Sequence, residues 1–255
     1  MESVKTDFGI ESAIQNSSDV VFDVRSYEAG IDNHVTLPAL CNYMQEAAGI
    51  NAARLGWGIS ALQKEGHTWM LSRLRVAVRN YVPWGGRVSV RTWPSGMKGR
   101  LVAKRCFLGY SADGAEIFRA SSEWLYVDMH AQKILKLPET FAQLVPQGIP
   151  DFELDDLGGK FSCLANNEKS IPVRTRHADL DFNDHVNNVH YIEWMLETFE
   201  GNSRPREIDI SFRQAARAGE ELLSERAQSS VEGRTLHAVR RQADGALLAT
   251  AAIEL

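Results

Sequence analysis

Apolar positions along this chain recur in two rhythms. Leu37, Leu40, Met44, Ala47 and Ala48 follow one another at helical spacing. Val189, Tyr191, Ile192, Trp194, Met195, Leu196 and Phe199 form a second such run. That run is apolar round most of its circumference, which predicts a helix buried on several sides. Each helix follows a short strand pattern, Val20–Tyr27 and Ile171–His177, and a loop. Beyond the helices the period drops to two, most clearly from Gly86 to Trp93. Asp-Gly at 113–114 and at 244–245 lies between strand-like runs, the signal of a type I′ hairpin. Each half therefore reads as strand, loop, helix and antiparallel meander. The fold class is α+β, a buried helix wrapped by an antiparallel sheet, twice.

The halves also match residue by residue. With His34 set on His185, Val35 falls on Val186, Tyr43 on Trp194, Met44 on Met195 and Glu46 on Glu197, without a gap. Ala112-Asp113-Gly114-Ala115 corresponds to Ala243-Asp244-Gly245-Ala246, and Glu123 and Glu254 follow at equal distances. Gly99-Arg100 and Gly233-Arg234 precede them. The shared order indicates duplication of a unit far longer than a solenoid repeat. The expected organisation is a flexible tail over 1–19, a first unit over 20–136, a linker over 137–170 and a second unit over 171–255. Pro138, Pro146, Pro150 and Gly158-Gly159 mark the linker.

Composition narrows the function classes. The 255 residues carry a net charge of −5, much of it on the N-terminal segment, and 44% are apolar. Nothing in this balance points to nucleic acid. No run approaches the roughly 18 apolar residues of a membrane span. The acidic N-terminus reads as neither a signal nor a transit peptide, so the cytosol is the expected compartment. Cys41, Cys106 and Cys163 are widely separated, without a CxxC pair, so no metal site is expected; Cys41 lies in an apolar helical pattern as a buried thiol. Two basic groups, Lys98, Arg100, Lys104 and Arg105, and Arg73, Arg75 and Arg79, read as solvent-facing strand charges that could steer an acidic partner. No phosphate loop, dinucleotide fingerprint or serine elbow is present, and no cofactor is implied.

The densest polar run, from Asp179 to Asn188, sits just before the second helix. Helix capping explains one or two of these residues, Asn187 among them. It does not explain Asp181, Asn183, Asp184, His185 and Asn188 together. Their chemistry suits hydrolysis. Histidine, with an ordinary pKa of about 6.5, can take a proton from water at neutral pH. A carboxylate four residues earlier can lie on the same face of a helical turn, to orient the ring or activate water. An Asn and the N–H groups of the helix start can donate to an oxyanion. A thioester is a fitting target, because a thiol of pKa about 8.5 leaves readily.

The run DLDFNDHVNNVHYIEWMLE resembles the signature of the acyl-acyl carrier protein thioesterases, with its D-x-N-x-H-V-N-N-V-x-Y-I-x-W core. Residues 25–47 and the segment GHTWMLSRLRVAVRNYVPWGGRVSVRTWPSG are similar to the first half of that family. The resemblance covers roughly residues 20–255. It implies two tandem hot-dog units, each a long helix wrapped by an antiparallel sheet. It implies a thiolester hydrolase that releases free fatty acid from acyl carrier protein bearing a fatty acyl-phosphopantetheine, with no cofactor, no metal and no nucleic acid. The catalytic Asp, Asn and His of the family fall on Asp181, Asn183 and His185. The family also resembles a set with an acid in the following strand, and here that position is Ala215, followed by Ala216. Either Asp181 and His185 suffice, or Glu193 or Glu220 substitutes, or turnover is low. An acyl-CoA thioesterase and a non-catalytic acyl-binding protein are the alternatives. The first unit would hold the acyl chain, with Met44, Ala47, Ala48 and Trp69 as wall residues. Asp32-Asn33-His34 reads as a remnant of the duplication, in a loop two residues shorter from Arg25 to His34 than from Arg174 to His185. The tandem supplies its own pair of units, so a homodimer is allowed but not required.

Overall fold

A computed structural model describes residues 14–149, 154, 157, 167–201 and 203–255. The chain divides into two units, the first formed by residues up to Leu71 and Val76–Leu154, the second by Ser72–Arg75 and Asp155–Leu255.

In the first unit, β1 (Ser18–Asp23) leads through a short helical turn to α1 (Leu37–Arg54) and the single turn α2 (Ile59–Leu62). Then come β2 (His67–Val78), β3 (Arg87–Lys98), β4 (Val102–Ser111), β5 (Glu116–Asp128) and the two-residue β6 (Lys133–Ile134). The order is β1-β3-β4-β5-β2, with β6 on β5, and β1 with β3, β3 with β4, β4 with β5 and β5 with β6 pair antiparallel. Helix α1 packs on β1 and β3 and buries Leu40, Cys41, Met44, Ala47 and Ala48. Thr36 caps its N-terminus, accepting from Ala39 N at 3.3 Å, and Pro38 stands in the first turn, where its missing N–H costs nothing. The Cys41 thiol is free, and burial pushes its pKa up to about 12, so it is inert.

In the second unit, β7 (Lys169–Arg174) leads to α3 (Asn188–Leu196), followed by β8 (Glu207–Phe212), β9 (Glu221–Gln228), β10 (Arg234–Arg241) and β11 (Leu247–Glu254). The order is β8-β11-β10-β9-β7, antiparallel, and α3 packs on β9 and β10. At nine residues α3 is half the length of α1, with eighteen. Phe199 lies past its end, because the Thr198 hydroxyl bonds back to Met195 O at 2.6 Å and the chain turns at Gly201, φ +75°.

Three local expectations change. The strands before the helices stop early, since the main-chain N–H of Arg25 turns to Glu28 Oε2 (2.9 Å) and that of Arg176 to Asp179 Oδ2 (2.7 Å). The hairpin turns at 113–114 and 244–245 are present but are not type I′, which needs positive φ at both central residues. Only the glycines have it, Gly114 at +83° and Gly245 at +72°. The aspartates instead accept main-chain N–H groups two residues on, from Ala115 (3.4 Å) and Ala246 (3.0 Å).

The packed region is also wider than the sequence boundaries. Within the stretch expected as a tail over 1–19, Ile14 is buried against Trp93, Cys106 and Leu108, and Asp19 pairs with Arg91 at 2.7 Å. Residues 1–13 lie outside the described residues. At the start of the expected linker, Leu137 and Phe141 are buried with Leu62, Ala103 and Tyr126. Residues 150–153, 155–156 and 158–166 of the linker, Cys163 among them, lie outside the described residues.

Gly109 faces Phe118 across β4 and β5. A methyl group there would stand 2.1–2.6 Å from three ring atoms of Phe118, which is fully buried. Gly109→Ala is expected to destabilise the protein by about 1–3 kcal/mol, read as a shift in denaturation midpoint at constant slope.

Candidate active site

The loop before α3 is folded by main-chain bonds that its side chains enforce. Residues His177–Asp179 make a helical turn, closed by the Arg176 guanidinium on Asp179 (Nη2 to Oδ1, 2.6 Å). Asp179 is almost fully buried, which works to raise its pKa, but the hydrogen bonds and charge of Arg176 hold it below the ordinary carboxylate value. Its carbonyl accepts from Asn187 N at 2.9 Å. Asp181 N donates to His185 O at 2.7 Å, and Asp184, at φ +60°, donates from N to Asp181 O at 3.1 Å. Val186 N donates to Ala216 O at 2.9 Å, which fastens the loop to the segment after β8. Asn187 is the N-cap, accepting from Val189 N at 3.1 Å.

Asp181, Asn183 and His185 are all half-buried on this one loop. The structure corrects how the carboxylate meets the histidine. The two are spaced across a turn, not a helix, and Asp181 Oδ1 accepts from the main-chain N–H of Asn183 (2.8 Å) and of His185 (3.4 Å). Among the described residues nothing bonds Asp181 Oδ2 or the His185 imidazole. The helix-start N–H groups expected as oxyanion donors are mostly engaged. Those of Val186, Asn187, Val189 and His190 are bonded within the protein, whereas none of these bonds uses Asn188 N–H.

The segment at Ala215 lies against the loop, as the Val186–Ala216 bond requires. Tyr191 accepts from Ala216 N at 2.9 Å, and burial pushes its phenol up to about 12, so it is a neutral brace. Arg241 donates to Ala215 O at 3.1 Å and pairs with Glu220 at 2.8 Å. Glu193 bonds His190 Nδ1 at 2.7 Å, a contact that raises the His190 pKa. Both glutamates named as substitutes for an acid at 215 thus have partners of their own. Sequence reasoning missed Asp179 and Tyr191 as supports. The Arg176–Asp179 spacing of a capped turn was the available signal for the first; nothing in sequence pointed to the second.

The first unit repeats this construction bond for bond. Thr36 N donates to Glu28 O at 3.0 Å, Gly30 N to His34 O at 2.9 Å and Val35 N to Val82 O at 2.8 Å. Arg25 caps the turn through Glu28 as Arg176 does through Asp179. Arg25 therefore corresponds to Arg176, not to Arg174, and the two loops are equal in length. Gly30 stands where the second unit has Asp181, and Asp32 where it has Asn183. Asp32 Oδ1 accepts from His34 N at 3.1 Å, which supplies the brace that Asp181 gives His185.

The two basic groups do not form patches. Lys98 pairs with Glu123 (2.5 Å), Arg79 with Glu116 (3.3 Å) and Arg73 with Asp209 (2.5 Å), Arg75 is buried, and Arg105 turns inward. Among the described residues no cluster of His, Cys, Asp or Glu could hold a metal ion, and no helix is long and apolar enough to cross a membrane.

Comparison with known proteins places this construction. The model of the acyl-ACP thioesterase N-terminal domain matches residues 15–145, and that of the C-terminal domain matches residues 164–255. A palmitoyl-acyl carrier protein thioesterase of Gossypium hirsutum is 33% identical over 213 residues, 75% of this chain and 49% of that protein. A dodecanoyl-[acyl-carrier-protein] hydrolase of Cinnamomum camphora is 32% identical over 192 residues, 69% of this chain and 49% of its own. The chain thus spans about half the length of these curated relatives. Among solved structures, an acyl-ACP thioesterase from Bacteroides thetaiotaomicron superposes with TM-score 0.81 at 22% identity, covering 94% of this chain and 97% of that one. The 12:0-ACP thioesterase from Umbellularia californica gives 0.80 at 24%, covering 95% and 98%. These likenesses establish the fold as tandem hot-dog units. With both domain models matched in order, the chain belongs to the acyl-ACP thioesterase family.

Proposed function

We propose that this protein hydrolyses fatty acyl thioesters of acyl carrier protein, releasing free fatty acid and the carrier thiol, with Asp181, Asn183 and His185 as its catalytic residues. The observation that carries this reading is a division within one loop. One oxygen of Asp181 fixes the main chain, while its other oxygen and the His185 imidazole are bonded by no described residue. A water held between such groups can lose its proton to the imidazole as its oxygen attacks the thioester carbonyl. The carbonyl oxygen takes the negative charge, with the Asn183 amide and the Asn188 N–H as donors. The carbon–sulfur bond then breaks, and the thiolate takes the proton back. Family membership supports the substrate class, and the buried α1 face at Met44, Ala47 and Ala48 supports the first unit as the place of the acyl chain.

The test is thiol release from acyl carrier protein and CoA thioesters of several chain lengths. The native protein is expected to release thiol from the carrier-bound series in preference to the CoA series. His185→Ala should lower the rate by about 10²-fold or more with an unchanged melting temperature; full activity in folded His185→Ala would overturn the assignment. Tight acyl binding without release by the native protein would favour the acyl-binding reading that Ala215 motivates.

Two further outcomes concern the missing acid. Ala215→Glu should leave the rate within about tenfold of native, less than a new acid–base group ordinarily contributes; a larger gain would show that an acid at 215 carries part of the chemistry. Glu193→Gln should keep the native rate, because Glu193 serves His190.

A further inference from the structure

The matched loops show by difference what the second unit has gained. Along the paired segments 25–37 and 176–188, two positions pass from a residue without a polar side-chain group to one with it. Gly30 gives way to Asp181, and Leu37 to Asn188. The first change supplies a catalytic residue of the proposed site. The second stands three residues past His185, at the first position of α3. Leu37 is buried in the core of its own unit, whereas Asn188 is half-buried. An amide in place of a buried leucine gives up apolar burial, so packing does not account for it.

Capping does not account for it either. Asn187 already fills the N-cap, where its side chain accepts from Val189 N at 3.1 Å. Among the described residues, no hydrogen bond uses the main-chain N–H of Asn188 or its side-chain amide. The two groups share a direction. A free N–H of the first turn points out of the helix start, and the Cα–Cβ bond tilts toward that same end. The positive end of the helix dipole lies there too and favours negative charge. An oxygen that meets the Asn188 N–H is therefore within reach of the Asn188 amide. Leu37 offers only its main chain at the matching position.

We propose that the Asn188 side-chain amide is a further catalytic residue, which donates to the thioester carbonyl oxygen as that oxygen takes negative charge. It acts beside the Asn183 amide and the Asn188 N–H, and its hydrogen bond strengthens as the tetrahedral intermediate forms. The inference rests on the reading that the loop with Asp181, Asn183 and His185 is the hydrolytic site.

The experiment measures thiol release from acyl-carrier thioesters by the native protein, Asn188→Ala and Asn188→Leu. Two acyl analogues are titrated against each: a trifluoromethyl ketone, whose hydrate mimics the tetrahedral intermediate, and a thioether, which forms no such adduct. Asn188→Ala should lower kcat by roughly 10²-fold at an unchanged KM. It should bind the ketone more weakly by a similar factor and the thioether as tightly as the native protein does. Asn188→Leu copies Leu37; it should be as slow, yet melt at or above the native temperature, which separates the loss from unfolding. Native kcat in Asn188→Ala, a loss confined to KM, or a slow variant with native affinity for the ketone would each overturn the proposal while hydrolysis by the native protein upholds the site. No thiol release by the native protein would overturn the hydrolase reading itself, and the oxyanion role of Asn188 with it.

Discussion

Each unit depends on one main-chain hydrogen bond made just ahead of its helix. Val35 N to Val82 O in the first unit, and Val186 N to Ala216 O in the second, hold the pre-helix loop to a neighbouring segment. Each helix must set its apolar face squarely on the sheet, and a main-chain clip survives any substitution at its donor other than proline. The capped turns at Arg25–Glu28 and Arg176–Asp179 deliver the chain to the clip in the same geometry. The N-caps Thr36 and Asn187 then start the helices at equal distances beyond it.

With the loop secured by backbone, its side chains become available for other work. In the first unit Asp32 braces His34 and Gly30 contributes nothing beyond its backbone. In the second, Asp181 braces the loop with one oxygen and retains the other. The support behind it is Tyr191 on Ala216, and Arg241, paired with Glu220, on Ala215. A site held this way does not need an acid at 215 to keep its shape, because the carbonyls and N–H groups of that segment carry the contacts.

Much of this was legible in sequence. The helical spacing at Leu37–Ala48 and Val189–Met195, the alternation from Gly86, and the gapless match about His34 and His185 reflect burial and duplication, which write directly into residue type. The polar run from Asp179 was legible because capping could not use so many groups. Other features were not. The turn type at Asp113 and Asp244 depends on which of two residues takes positive φ, and Asp-Gly permits several answers. The register of the repeat ahead of the helices was misread because two arginines, Arg174 and Arg176, compete for one counterpart. The short α3 follows from a hydroxyl back-bond at Thr198 that periodicity does not reveal. Arg105 looked like surface charge, since a strand sequence does not say which cations face inward.

The equal loops carry an evolutionary consequence. Gly30-Ile31-Asp32-Asn33-His34 and Asp181-Phe182-Asn183-Asp184-His185 share their backbone bonds, their left-handed fourth residue and their histidine. Gly30 itself has no positive φ that would bar a side chain. Two replacements, Gly30→Asp and Asp32→Asn, would therefore write the D-x-N-x-H pattern into the first unit. After duplication, the first half stands two replacements short of this pattern, so the difference between the loops in these three residues is shallow in mutational distance.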